Sequence, residues 1–250
     1  MFSVFATSYR LRITYRVNSI IYSLKQLPLV RRLLPSALYR SRGLKRFACV
    51  IAILMEILGM FLQKGAYLGI VVLAPVTQLL PPDTWTAGFL HILLFLSIAG
   101  AVSNNRLFDP TRDKYYAIIL MRMDARNFTV SNYLYELLKL FIGFAAFLGI
   151  CAGLGTLPWW CVIVCPLLPC ALKCISGWYS LRKYERKRII RNENSPVKAV
   201  WGTIALCWAL AFAPLAFARV LPVLCFPLFT ALSLVLAIYG FSYLCQFRLS

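Results

Sequence analysis

Acidic residues and histidine are the scarcest reactive side chains in this sequence. Its 250 residues include eight Asp and Glu and a single His, against 27 Lys and Arg. General acid–base and zinc chemistry draw largely on these side chains, so few candidates exist for either. The chain also lacks the GxxxxGK[ST] signature of a P-loop, the HExxH zinc motif and the GxSxG nucleophile elbow. We therefore expect no enzymatic activity, no catalytic residue, no bound metal and no cofactor.

Long apolar runs dominate what is present. The chain is 61% hydrophobic, its mean hydropathy is +0.74, and apolar segments long enough to cross a bilayer recur along it. The net charge of +19 is confined almost wholly to the gaps between these runs. That distribution is typical of the positive-inside bias of membrane proteins and favours anionic lipid headgroups as partners rather than nucleic acid.

The apolar runs predict an all-α polytopic membrane protein with about six transmembrane helices. A membrane domain over residues 47–250 would carry cytoplasmic loops at about 104–131 and 180–198. With six spans, 23 of the 27 Lys and Arg fall on one side, together with both termini, and only Arg219 falls on the other. The predicted spans are one net crossing within Phe47–Leu80, then Trp85–Val102, Asn132–Gly153, Trp159–Gly177, Ala199–Ala218 and Leu221–Cys245.

Two parts of this prediction stay open. The run from Phe47 to Leu80 is either one long tilted helix or an interfacial helix followed by a span near Ala66–Leu80. The N-terminal region, residues 1–46, holds ten Lys and Arg and a helical stripe of Ile20, Ile21, Leu24 and Leu27. It is either an amphipathic elbow lying in the membrane interface or a disordered basic tail.

A few polar side chains and cysteine pairs lie inside the apolar runs. His91 is expected to hydrogen-bond a neighbouring helix. Glu136 and Lys139 are expected to pair, since they are three residues apart, and Glu56 either pairs with Lys64 or faces a substrate path. On one helix, Cys161 and Cys165 share a face roughly opposite Cys170 and Cys174, which argues against a tetrahedral metal site unless Pro166 and Pro169 bend the segment.

The longest polar interruption runs from Asn104 to Tyr135. Asp109-Pro110-Thr111 is a helix-start signal with a possible N-cap at Thr111, and a helix from Arg112 would carry Tyr116, Ile119, Leu120 and Met123 on one face. This helix is expected to end near Asp124–Asn127, and a new one to begin near Ser131. The pattern suits either a solvated loop lying among the headgroups or a short helix that touches another protein at the membrane surface.

The central stretch and its flanks resemble the EcsB/PptB-like family of bacterial ABC exporter permeases over roughly residues 20 to 150. The segments that carry the resemblance are Leu107-Phe108-Asp109-Pro110, Asp113-Lys114-Tyr115-Tyr116-Ala117-Ile118, Leu120-Met121-Arg122-Met123-Asp124-Ala125-Arg126 and Ser131-Asn132-Tyr133, with Tyr22–Val30 upstream and Leu138–Phe144 downstream.

The resemblance implies a permease of the bacterial cytoplasmic membrane that exports a peptide or amphiphile with a separate cytoplasmic ABC ATPase. Members of the family usually hold a pair of such bundles, so a second permease half or a second copy is implied as a partner. The segment Thr111–Arg126 would be the coupling helix that docks on the ATPase. Its implied docking residues are Tyr115, Tyr116, Leu120, Arg122, Met123, Asp124 and Arg126. The alternative is a non-transporting immunity or regulatory protein on the same scaffold.

Overall fold

The computed structural model is helical throughout the residues it describes. These are residues 6, 7, 9, 13, 14, 17–20, 22, 26, 42–103, 112–187, 198–217 and 219–246, and none of them lies in a β-strand. The α-helices are α1 (Arg42–Ala66), α2 (Ala74–Leu79), α3 (Trp85–Ser103), α4 (Arg112–Tyr115), α5 (Ala125–Gly153), α6 (Cys161–Lys187), α7 (Lys198–Phe212) and α8 (Cys225–Gln246). Two π-helices, Tyr67–Leu73 and Tyr116–Leu120, and two 3₁₀ turns, Pro82–Thr84 and Ala213–Phe217, join or extend them.

Six helical stretches are long and apolar enough to cross a membrane. They are Lys45–Leu79, Pro82–Ser103, Ala125–Gly153, Cys161–Arg186, Lys198–Phe217 and Cys225–Gln246. A bilayer core of about 30 Å needs about 20 helical residues, and each stretch meets that length. The chain is thus an all-α, multi-pass membrane protein, as its apolar pattern predicted.

From Phe47 to Leu79 the first apolar run is one continuous helix, and whether its first part crosses the membrane or lies on it stays a prediction. α1 passes directly into the π-helix Tyr67–Leu73 and then into α2. Pro75 has no N–H and its ring crowds the carbonyl one turn back, so an ordinary α-helical register is unfavourable here. The wider π turn accommodates the proline, and the N–H of Ala74 reaches the carbonyl of Gly69 instead.

The residues form two compact units. One comprises residues 1–60 and 111–132, and the other comprises residues 61–110 and 133–250. In the first unit, Val17 is buried with Ala48 and Ala52, and Ile20 packs against this cluster. Most of the predicted N-terminal stripe, Ile21, Leu24 and Leu27, lies outside the described residues.

The larger unit is built around α3. Leu90, Ile92 and Leu93 of this helix are at most 2% exposed, and they pack in one cluster with residues of the π-helix, α5, α6 and α8. A helix that is apolar on all sides is stable only when neighbours surround it, and α3 has no polar stripe that would favour a position at the edge.

The turn between α5 and α6 follows from one glycine. Gly155 adopts φ +75°, the N–H of Thr156 donates to the carbonyl of Cys151 at 3.1 Å, and the N–H of Gly155 donates to Ala152 at 3.0 Å. These are the two bonds of a Schellman motif, which favours glycine in the left-handed position. The predicted turn is therefore present, and the side chains of Trp159 and Trp160 are exposed beside it.

Two predicted boundaries shift. α6 continues to Lys187, into the segment predicted as a loop from residue 180, because its Arg and Lys side chains favour helix and extend beyond the apolar stretch. Pro166 and Pro169 lie inside α6. The sixth span begins at Cys225 rather than Leu221, since Pro222 interrupts backbone hydrogen bonding just before it.

Candidate functional site

The segment that precedes the third span is a two-part helix followed by a short extended connection. α4 continues without a break into the π-helix Tyr116–Leu120, and Met121 to Asp124 are non-helical. The predicted helix from Arg112 is therefore present but ends at Leu120. The proposed N-cap, Thr111, lies outside the described residues.

An arginine in the left-handed conformation ends the π-helix. Arg122 has φ +50° and is the one non-glycine residue with positive φ in the described part of the chain. This conformation brings the N–H of Met123 to the carbonyl of Ala117 at 3.0 Å. The bond resembles the closure of a Schellman motif, widened by one residue as the π register requires. A β-carbon in this conformation costs about 1 kcal/mol, so the turn is strained.

Asp124 is the N-cap of α5. Its Oδ1 accepts from the N–H of Arg126 and its Oδ2 from the N–H of Asn127, both at 3.4 Å, while its carbonyl accepts from Phe128 at 3.0 Å. Acidic side chains at this position satisfy amide groups that have no partner within the helix. The helix predicted to start near Ser131 therefore begins at Ala125, because the capping aspartate, and not the first apolar run, sets its start.

The predicted docking residues differ in exposure. Tyr115, Arg122 and Asp124 are exposed, while Met123 and Arg126 are half-buried. The side chains of Tyr116 and Leu120 lie outside the described part of the structure.

Two exposed apolar residues of this segment were not among the predicted docking residues. Ile119 is 60% exposed and Met121 is 47% exposed. Sequence analysis placed Ile119 on the face of Tyr116 by counting 3.6 residues per turn. Tyr116–Leu120 is a π-helix with a longer period, so a count of 3.6 residues per turn does not apply to it. Apolar residues within a segment that is flanked by Arg and Lys are the sequence signal that would have identified them.

His91 connects three parts of the larger unit. The N–H of Leu221 donates to its Nδ1 at 3.3 Å, so Nε2 carries the ring proton and donates to the carbonyl of Leu210 at 3.0 Å. The side chain is 5% exposed and stacks edge-on against Phe95. The sequence explains the bond to Leu210: the helical donor for its carbonyl would be residue 214, which is a proline without an N–H. The expected hydrogen bond to a neighbouring helix is confirmed.

The cysteines of α6 lie among packed apolar residues. Cys161 and Cys165 are fully buried, and Cys170 Sγ donates to the carbonyl of Leu137 at 3.6 Å. In the described residues, no group of three or more His, Cys, Asp and Glu side chains is placed to hold a metal ion.

The predicted pairs Glu136–Lys139 and Glu56–Lys64 stay predictions, but Lys64 has other charged neighbours. Lys64 is within electrostatic range of Glu136 and Lys139, and the ammonium of Lys139 lies 5.5 Å from the centre of the Tyr135 ring. The structure thus gives Lys64 an acidic neighbour in Glu136.

Comparison of the chain with protein-family models, with characterised proteins and with solved structures finds no match. The class that the fold defines is a multi-pass α-helical membrane protein. The resemblance to ABC exporter permeases stays a prediction.

Proposed function

We propose that this chain is the membrane-spanning permease subunit of an ABC-type exporter and itself performs no covalent chemistry. A separate cytoplasmic ATPase would hydrolyse ATP, and the chain, paired with a second permease half or a second copy, would move a peptide or amphiphile across the membrane. The proposal joins the resemblance of residues 20–150 to a chain with six candidate spans.

The observation that carries the proposal is the surface of Arg112–Asp124. Tyr115, Ile119 and Met121 are between 47% and 60% exposed on a segment with basic residues at both ends. Tyr and Arg side chains are enriched among the residues that supply most of the binding energy of protein interfaces, and Met is enriched at interface cores. Their exposure on one short segment between two spans supports a docking role.

The connection to the third span would transmit a pull from the ATPase. Residues Met121 to Asp124 are bounded by the bond from Met123 to Ala117 and by the cap at Asp124. A short connection fixed at both ends has little slack, so movement of the docking segment would move α5.

The distribution of Lys and Arg supports one orientation of the chain in the membrane. We place both termini and both long loops on the cytoplasmic face of a bacterial plasma membrane, because 23 of the 27 Lys and Arg then lie inside.

The test begins with a mild-detergent pulldown of the tagged chain from its native membranes, with mass spectrometry of what is recovered. We expect a stoichiometric ABC ATPase. The double substitution Tyr115→Asp and Ile119→Asp should then abolish its recovery, since charge at both exposed positions opposes burial in an interface. The matched control is Leu154→Asp, at an apolar position that is 75% exposed in the turn after α5. Undiminished recovery with the double variant would overturn the docking role.

One observation favours a second candidate, a non-transporting immunity or regulatory protein. Leu68, Phe89, Leu148 and Leu168 are completely buried in the main cluster of the larger unit. Such packing suits a static anchor better than a polar substrate path. Recovery of the chain without any ATPase, even after crosslinking, would favour this candidate.

A further inference from the structure

His91 is the only histidine of the chain, and one of its two hydrogen bonds requires the neutral ring. Its Nδ1 accepts from the N–H of Leu221 at 3.3 Å, and its Nε2 lies 3.0 Å from the carbonyl of Leu210. A protonated imidazole donates from both nitrogens and accepts at neither. Protonation would therefore keep the bond to Leu210 and break the bond to Leu221.

The bond that would break holds the middle of the connection between α7 and α8. At the start of this connection the N–H of Arg219 donates to the carbonyl of Pro214, and at its end the N–H of Cys225 donates to the carbonyl of Pro222, both at 3.0 Å. These two bonds are local, whereas the N–H of Leu221 reaches across to α3. The neutral ring of His91 thus joins the connection to the second span.

Apolar packing also holds this connection, so loss of the His91 bond would loosen it without unfolding the protein. Val220 and Val223 pack against the main cluster of the larger unit. Leu221 is 37% exposed and Leu224 is 73% exposed, so the connection lies at the edge of that cluster. The expected change is therefore local to residues 219–224.

A proton can reach the ring from the side of the membrane on which the connection lies. His91 is six residues after Trp85, about 9 Å along α3 from the end of the helix that adjoins this side. The closed ring is only 5% exposed, but Nδ1 becomes free whenever the Leu221 bond opens. A proton that binds Nδ1 then prevents the bond from closing again, and so favours the open connection.

The ionisable side chains of the surrounding elements do not act on the ring. Those in this part of the larger unit are Tyr67, Asp83, Cys151, Cys161, Cys165, Cys207, Arg219 and Cys225, and Lys198 lies at the far end of α7. Among the residues that the structure describes, none contributes to the electrostatics of the imidazole. Whether the ring is neutral depends on its burial, its hydrogen bonds and the pH.

We propose that His91 is a pH-sensitive switch on the connection between α7 and α8, whose neutral ring holds the Leu221 amide and whose protonation releases it. The closed connection needs the neutral ring, so it is favoured at neutral pH and is lost as the pH falls below about 6, where imidazole ordinarily gains its proton. The inference does not rest on the exporter proposal, since it needs neither an ATPase nor a substrate.

The first measurement is nuclear magnetic resonance of the full chain in detergent, with nitrogen labelling of histidine alone and a purification tag that contains no histidine. Because the chain has one histidine, its two ring nitrogens give the only labelled imidazole signals. We expect the neutral ring with its proton on Nε2 at about pH 7.5 and a protonated ring at about pH 5. A proton on Nδ1 at the higher pH, or a ring that stays neutral at the lower one, would overturn the switch.

The second measurement is hydrogen exchange of the peptide that covers residues 219–224, read by mass spectrometry. Relative to the intrinsic rate at each pH, we expect exchange of the Leu221 amide to rise about tenfold between pH 7.5 and pH 5. The matched control is the turn after α5, where the amides of Gly155 and Thr156 bond backbone carbonyls, and its relative exchange should not change.

The variant His91→Phe should exchange at residues 219–224 equally fast at both pH values, since phenylalanine accepts no hydrogen bond. PH-dependent exchange that persists in this variant would overturn the role of His91. Unchanged exchange at Leu221 in the unsubstituted chain while its ring becomes protonated would overturn the switch, and so would an equal rise in the control turn, which would show a general loosening of the fold. The measurements on the unsubstituted chain decide between these outcomes without the variant.

Discussion

Single residues in this chain act chiefly by completing backbone hydrogen bonds that the sequence would otherwise leave open. Asp124 caps α5, Gly155 closes its far end, and His91 takes the carbonyl that a proline leaves without its helical donor. The bond from His91 to a neighbouring helix could be predicted, because a buried imidazole in an apolar span needs a partner. Its particular partners could not, since they are 119 and 130 residues away in the sequence.

Substitution Arg122→Gly should stabilise the protein. Glycine has no β-carbon and adopts φ +50° without steric strain, so we expect the free energy of unfolding to increase by about 0.5–1 kcal/mol. Thermal unfolding in detergent measures it. The exposed neighbour Met121, whose φ is not positive, serves as control, and Met121→Gly should lower stability. A lower midpoint for Arg122→Gly would contradict the strain argument.

Substitution His91→Phe keeps a ring of similar size but removes both ring nitrogens. The carbonyl of Leu210 and the N–H of Leu221 then lose their partner, and we expect about 2 kcal/mol or more of destabilisation. Thr230→Val is the control, because the Thr230 hydroxyl bonds only the Phe226 carbonyl in its own helix, and it should cost less than about 1 kcal/mol. Similar midpoints of thermal unfolding for the two variants would show that the hydrogen bonds of His91 do not stabilise the contacts between these segments.

At the scale of elements, the apolar runs predicted the positions of the membrane helices well, but they predicted the polar ends of these helices poorly. α3 agrees with its predicted span almost to the residue, because its whole length is apolar. α5 and α6 extend into segments that were assigned to loops, since charged side chains permit helix as readily as loop outside a membrane. The π register of Tyr116–Leu120 has no strong sequence signal, and it alters which side chains share a face.

The contact between α6 and α8 gives a test of helix packing. A β-carbon on Gly240 would lie 3.0 Å from Trp178 Cβ, an atom too near its own backbone to move aside. Gly240→Ala should therefore destabilise the protein by about 1–3 kcal/mol in an unfolding titration. Gly100→Ala is the control, as nothing lies within 4 Å of its added methyl, and it should gain up to about 1 kcal/mol. A neutral result at Gly240 would mean that α6 and α8 pack less closely than described.

For the whole molecule, the sequence alone established the class and the number of spans, because length and hydropathy determine both. The candidate docking segment was located from its charges and its resemblance, but its exposed residues were identified only in part. Which side of the membrane each loop occupies is the remaining prediction at this scale.

Epitope tags test that orientation in intact and permeabilised spheroplasts. A tag inserted between Leu154 and Trp159 should be accessible to antibody in intact spheroplasts, because only Arg219 is assigned to that side. A tag at the C-terminus, and a control tag within residues 188–197, should be accessible only after permeabilisation. Equal access to all three tags in intact spheroplasts would refute the six-span topology.

The hydrogen bonds of His91 can form only after its two partners have been synthesised, much later than His91 itself. The imidazole leaves the ribosome long before Leu210 and Leu221, and at about 5–20 residues per second its two partners arrive roughly 6–26 s later. During that interval the second span has a polar ring without its final neighbours, in a setting where such a group is costly. The nascent chain must therefore be sheltered by the insertion machinery or by water until the fifth span is made. Chains arrested before residue 210 should stay attached to that machinery, whereas completed chains should be released.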